Sequence, residues 1–294
     1  MSTHPTHRSA LTRRPSRAFV PPISIGLEPR IAMAAGAIHV IRDVVYRDVP
    51  GDRQTLDVLI PVGPAPAGGR PVIVAIHGGG WRKFSKNQYE PIVTPLVGMG
   101  FLVVAPNYRL SRAGRPSWPI VQDEVRDAVR WVREHARVIG ADPGRVAAMG
   151  ESAGGHLAAL LGTNPDPSGS ARVQAVVDFY GPTDLAALDR ASPKASGPIR
   201  QFLGGTPASQ PGRYADASPA SHVSADDPPF LIVQGSADDI VSPSQSTEMA
   251  RRLSLAKVPN RLVVIPGAGH GFPLRVGVRN LARMIASFLA DALK

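Results

Sequence analysis

No cysteine occurs in the 294 residues. That excludes disulfide cross-links, a thiolate nucleophile and any cysteine-ligated metal centre, and it leaves the redox compartment open. Aromatic residues make up only 5%, and no stretch interleaves them with basic side chains, so no nucleic-acid partner is expected despite a formal net charge of +10. The basic residues are mostly arginine, spread among abundant alanine, proline and glycine, which is the pattern of a solvated surface. No apolar run is long enough to span a membrane. Acid is nearly missing from residues 1–36, where Glu28 stands against Arg8, Arg13, Arg14, Arg17 and Arg30. Arg13-Arg14 matches the start of a twin-arginine export signal, but Pro15, Pro21-Pro22 and Glu28 interrupt the apolar segment that should follow. Residues 1–36 therefore read as a disordered basic extension, with Met33 a candidate start and a cytoplasmic location expected; export is the alternative.

What remains, residues 37–294, alternates in a way that indicates one α/β domain. Residues 38–49 and Leu56 to Ile60 look like two strands joined at Pro50-Gly51-Asp52, an antiparallel start. The apolar run Pro71 to Ile76 is that of a strand buried on both faces. A helix near 89–98 and a strand at 101–106 follow. Ser117-Trp118-Pro119 then opens a helix with Val121, Val125, Ala128, Val129, Val132 and Ala136 on one face. Asp142-Pro143-Gly144 is expected to turn the chain into the next strand. Further strands are expected at 173–180, 230–233 and 261–265, with helices at 243–255 and at a closing stripe of Leu281, Met284, Ile285, Phe288 and Leu289. The fold class is thus α/β, a doubly wound, mostly parallel sheet with antiparallel N-terminal strands. From 181 to 227 the alternation breaks down into prolines, glycines and hints such as Pro198 to Leu203. We read about 185–225 as a small cap-like insertion over the sheet's C-terminal edge, with a long surface loop as the alternative.

The chemistry-bearing stretch is Gly150-Glu151-Ser152-Ala153-Gly154, G-x-S-x-G between an apolar strand and a helical run. A serine presented at such a sharp turn needs strained dihedrals, and side chains at the flanking glycines would collide with neighbouring backbone. Serine is a poor nucleophile without a base and an acid that orients it. Position disposes of most histidines: His4 and His7 lie in the extension, His39 on the first strand and His222 in the insertion. His135 sits near the polar side of its helix, where it should be solvated, while His77 and His156 should pack or anchor loops. His270, in the glycine-rich loop 267–271 after the last strand, is the candidate base. Asp238 is favoured as the acid over its neighbour Asp239, because it lies where the loop leaves the strand; Asp184 is a weaker alternative and a natural turn former. The order Ser152, Asp238, His270 is that of a nucleophile-elbow hydrolase. The loop His77-Gly78-Gly79-Gly80 lacks the lysine and hydroxyl of a phosphate loop. It can instead supply the N–H groups of Gly79 and Gly80, with that of Ala153, as an oxyanion hole.

These motifs, H-G-G-G-W, G-E-S-A-G-G, the Asp238 loop and G-A-G-H-G, together resemble the α/β-hydrolase superfamily over residues 38–292. Within it they are similar to the branch of hormone-sensitive-lipase-like and feruloyl-esterase-like carboxylesterases. The resemblance implies Ser152, Asp238 and His270 as a triad, with Gly79, Gly80 and Ala153 as the oxyanion hole. It also implies cleavage of small-molecule esters of short to medium acyl chain, with no metal and no cofactor. The chain departs from family habit at Gln234, often His, and at Glu151, often Asp. Trp81 is also similar to its counterpart in kynurenine formamidases, so an amide substrate is the alternative. A homodimer is expected by fold analogy alone.

Overall fold

In the computed structural model, which describes residues 38–164, 166–276 and 279–294, β1 (Ile38–Val49) and β2 (Asp52–Pro61) pair antiparallel. Val49 faces Asp52 across the tight turn at Pro50-Gly51. The chain continues through β3 (Arg70–Ile76), α1 (Glu90–Val97), β4 (Leu102–Pro106), α2 (Ile120–Ile139), β5 (Ala141–Glu151), α3 (Ala153–Thr163) and β6 (Ala175–Phe179). It then runs through α4 (Leu185–Ala191), α5 (Pro193–Leu203), α6 (Pro211–Asp216), β7 (Phe230–Gly235), α7 (Pro243–Leu255) and β8 (Asn260–Ile265). A two-residue pair, β9 (Arg275–Val276) and β10 (Arg279–Asn280), precedes α8 (Leu281–Ala292). The expectations for residues 1–36 lie outside the described residues. No helix among the described residues is long and apolar enough to cross a membrane.

The described residues form an eight-stranded sheet in the order β1-β2-β4-β3-β5-β6-β7-β8, antiparallel from β1 to β4 and parallel from there on. This is the α/β-hydrolase fold. Its strands are apolar on both sides because both faces are covered. Val72, Val74 and Ile76 point into one core with Val125, Val129, Leu157 and Met249. Ile73 and Ala75 point into the other with Val93, Leu96, Ile285 and Leu289. The strand order reverses at β3, whose neighbours are β4 and β5, and a crevice opens outside the carboxyl ends of strands at such a switch point.

Two local expectations are corrected. Asp142-Pro143-Gly144 does not precede the strand but lies within β5, in a bulge. The pairing with β3 jumps from Arg70↔Ala141 to Val72↔Val146, and the Asp142 carboxylate closes the bulge by accepting the N–H of Gly144 at 2.9 Å. The stretch after residue 181 is more ordered than its composition suggests, because α4, α5 and α6 form there. Asp184 and Ser192 cap α4 and α5, and prolines occupy the first turns of α5 and α6, where a missing N–H costs nothing. Asp189 stitches these helices together, pairing with Arg200 and accepting from the Tyr214 hydroxyl.

Candidate active site

Ser152 stands between the end of β5 and the start of α3 at φ 53°, ψ −120°, a strained conformation for a side chain with a Cβ. The two glycines beside it are required by space. A Cβ on Gly150 would fall 2.1 Å from the carbonyl oxygen of Gly154, and one on Gly154 would fall 2.0 Å from that of Ile76. The turn is fixed further by the Ser152 N–H donating to Phe179 O at 2.8 Å.

The structure brings Ser152, His270 and Asp238 together from three strand ends. The Ser152 hydroxyl lies 2.9 Å from Nε2 of His270, and Nδ1 of the same ring lies 2.7 Å from Oδ2 of Asp238. Because the carboxylate only accepts, Nδ1 carries the proton and Nε2 is left to accept from the hydroxyl. Asp238 is buried and almost fully engaged: Oδ1 accepts the N–H groups of Ile240 and Val241 at 3.0 and 2.9 Å, and Oδ2 accepts from Gln234 Nε2 at 3.1 Å. Burial alone would raise its pKa, but the bonds from His270 and the two backbone N–H groups outweigh that and hold it below the usual carboxylate range.

The alternatives separate by geometry. Asp239 points outward to an ion pair with Lys194 on α5. Asp184 is spent on capping α4 through the N–H of Ala187. His77 stacks on Tyr108 with centroids 4.2 Å apart, and His156 is buried with Nδ1 accepting from Trp81 Nε1 and Nε2 facing Ala217 O. Burial lowers the pKa of each to about 4, so both serve as neutral anchors. His135 is not free in solvent as expected but is half-buried against the Trp131 ring at 4.4 Å.

The glycine loop after β3 faces the same spot. Gly79 has φ 109°, and its carbonyl accepts from Arg82 and Lys83, while a Cβ there would fall 2.1 Å from Lys83 O. Among the described residues no loop or cap backbone hydrogen bond takes the N–H of Gly79, Gly80 or Ala153. The last of these is the first residue of α3, where an N–H has no acceptor within the helix. Above them lies a cavity of about 280 Å³, closed by Phe84, Leu188, Ala195, Pro198, Ile199 and Ile240. Helices α4 and α5 thus contribute directly to its wall.

Three contributors were not singled out from sequence for what they do here. Tyr180 packs edge-on against the His270 ring at 4.8 Å and donates its hydroxyl to Glu151 at 2.9 Å. Glu151 lines the cavity, and burial raises its pKa against the opposing effects of Tyr180 and His270. Gln234, noticed only as a departure from family habit, braces Asp238 and is itself held by the Ser246 hydroxyl at 2.8 Å. The available signal was positional: Glu151 and Tyr180 sit at or just beyond the carboxyl ends of β5 and β6, and Gln234 near that of β7.

Residues 56–253 match the BD-FAE family model. Among curated proteins, the chain is 34% identical over 269 residues to esterase LipC of Mycobacterium tuberculosis, covering 84% of this chain and 64% of that one. It is 32% identical over 256 residues to esterase LipQ of the same organism, covering 83% and 60%. The chain therefore spans about 60% of the length of these relatives. Among solved structures, a thermophilic esterase of Thermogutta terrifontis is 31% identical with a TM-score of 0.67, covering 84% of this chain and 89% of that one. A truncated carbohydrate esterase from gut microbiota aligns at 25% identity with a TM-score of 0.75, covering 90% and 98%.

Proposed function

Since the chain belongs to the BD-FAE family and has the α/β-hydrolase fold, we propose that it is a serine hydrolase that cleaves small carboxylic esters through an acyl-enzyme. The observation that carries this reading is the pair of contacts made by one imidazole, 2.9 Å to the Ser152 hydroxyl and 2.7 Å to the Asp238 carboxylate. His270 takes the Ser152 proton as Oγ attacks the ester carbonyl, and Asp238 stabilises the imidazolium that forms. The oxyanion is received by the N–H groups of Gly79, Gly80 and Ala153. His270 then protonates the departing alcohol. In the second half of the cycle it deprotonates a water, which attacks the acyl carbonyl and releases the acid and Ser152. In this reading residues 37–294 are one catalytic unit, and the segment at about 185–225 is its cap. A cytoplasmic homodimer belongs to the same reading, on fold analogy and on the interrupted apolar pattern before residue 37.

The test is hydrolysis of 4-nitrophenyl acetate by the wild-type chain and by Ser152→Ala. Turnover should fall by about 10⁴-fold or more in the variant while its circular dichroism stays unchanged. Undiminished turnover would remove the proposal. Matched acetanilides run alongside show whether esters are preferred over amides.

A further inference from the structure

Beside the catalytic cavity lies a second, wider and more polar one of about 530 Å³. Phe84 lines both, so the two adjoin at its ring. The wall of the second cavity is rich in one chemical group: Arg53, Arg109, Arg112 and Arg115 all contribute to it.

The last two are arranged in an unusual way. Arg112 and Arg115 exchange backbone hydrogen bonds, each N–H donating to the other's carbonyl at 3.0 and 2.9 Å, in a one-bridge hairpin. Residues directly opposite in such a bridge stand on one face, and like charges there repel. Both side chains are exposed, and neither makes an ion pair among the described residues. The carboxylate on the wall does not relieve them. Asp52 is buried and already held by Arg47 at 2.7 Å and Arg109 at 2.9 Å, with Gln54 also donating to it. Glu124, beneath, accepts the Arg109 N–H. The hairpin is also not a loose flap: Ser111, just before it, donates its N–H to Trp81 O at 2.7 Å and accepts from Gln201 of α5 at 3.0 Å. Two uncompensated guanidinium groups are thus held in register on a loop that is tied to the glycine loop of the catalytic site. Local rules of this kind are broken mostly at functional or strained sites, and the guanidinium fork matches a carboxylate or phosphate.

We propose that this groove binds the anionic end of the substrate, a carboxylate or phosphate, while the ester lies over Ser152 and Phe84 forms the wall between the two ends. The inference rests on the esterase reading and narrows it to esters that carry an oxyanion. Arg112 and Arg115 act as specificity residues and touch no reacting atom.

The experiment uses the full chain, as wild type and as the double variant Arg112→Gln/Arg115→Gln. Both substitutions lie on an exposed turn. Substrates are acetyl esters of phenyl, cinnamyl-type and biphenyl alcohols ending in a carboxylate, a phosphate or a neutral methylamide, with a parallel series carrying the carboxylate on the acyl side. In the wild type, kcat/KM for an anionic ester should exceed that of its neutral counterpart by roughly tenfold at the tether length that reaches the groove, since charged hydrogen bonds are individually worth that much. The advantage should shrink as salt is raised and vanish in the double variant, with 4-nitrophenyl acetate turned over as before. Which of carboxylate and phosphate gains more identifies the anion. Equal rates for anionic and neutral esters at every length, or an advantage that survives the double variant, overturns the proposal. If the wild type hydrolyses no ester at all, the esterase reading fails, and binding then decides this one. Calorimetric binding of biphenyl-4,4′-dicarboxylate to Ser152→Ala, lost when the two arginines are also replaced, supports the groove; no binding overturns it.

Discussion

Asp178 lies in β6, fully buried, with Oδ1 accepting the Gly181 N–H at 2.9 Å and Oδ2 without a partner. Burial pushes its pKa up to about 7, against a partial offset from that bond. An acid whose folded pKa is raised holds its proton more tightly when folded, so stability is greatest below the unfolded value and declines as pH rises towards the folded one. Between about pH 4 and 7 the wild type should lose on the order of 2–4 kcal/mol from this group. Asp178→Asn should remove that decline, read as the difference in urea midpoint between variant and wild type across pH 5–8. The two neighbouring aspartates beyond β7 give a second comparison. In Asp238→Asn the amide can keep the backbone bonds of Ile240 and Val241, but it turns a donor towards Nδ1 and imposes the wrong tautomer. Esterase kcat should fall by about 10³–10⁴-fold with the fold retained, whereas Asp239→Asn, which loses only an exposed pair with Lys194, should stay within a few-fold.

At the level of elements, the turn between β5 and α3 tolerates no extra atom. Gly154→Ala places a methyl group 2.0 Å from the Ile76 carbonyl, so β3 and α3 must part; the chain should lose about 3 kcal/mol or more by denaturant unfolding. That requirement was visible in the sequence because spacing alone encodes it: glycine, one residue, serine, one residue, glycine. The buried strands were equally plain, since runs such as Val72 to Ile76 have no other use in a chain without a membrane-length segment. The bulge in β5 was not visible, because Asp142-Pro143-Gly144 is the composition of a turn and only pairing with β3 draws it into the strand. The helices after β6 were hidden for a related reason. They are short, proline-started and held by Asp189 and its long-range partners rather than by their own periodicity. The preference for Asp238 over Asp239 rested on loop position in the sequence; in the structure it is Asp238 whose carboxylate faces the imidazole, while Asp239 pairs with Lys194.

For the whole molecule, the cavity over Ser152 is assembled from segments far apart in sequence, near residues 78–84, 151–153, 180–199, 240–241 and 270–271. No local pattern could announce its size. At about 280 Å³ it is at the small end for a ligand site, so acetyl to butyryl esters should be preferred over octanoyl esters by about tenfold or more in kcat/KM. Replacing Ile240 by Ala at the half-buried rim should narrow that gap. The roof of this cavity is fastened to its floor. The Trp81 ring of the glycine loop stacks on Phe202 of α5 at 4.5 Å, and both meet His156 of α3 edge-on. Thr183 is bound twice to Gln245 of α7, each time at 2.9 Å. A roof held by these contacts is expected to stay in place through the cycle. Turnover should then be indifferent to solvent viscosity at saturating substrate, because no step of the cycle waits for the molecule to open.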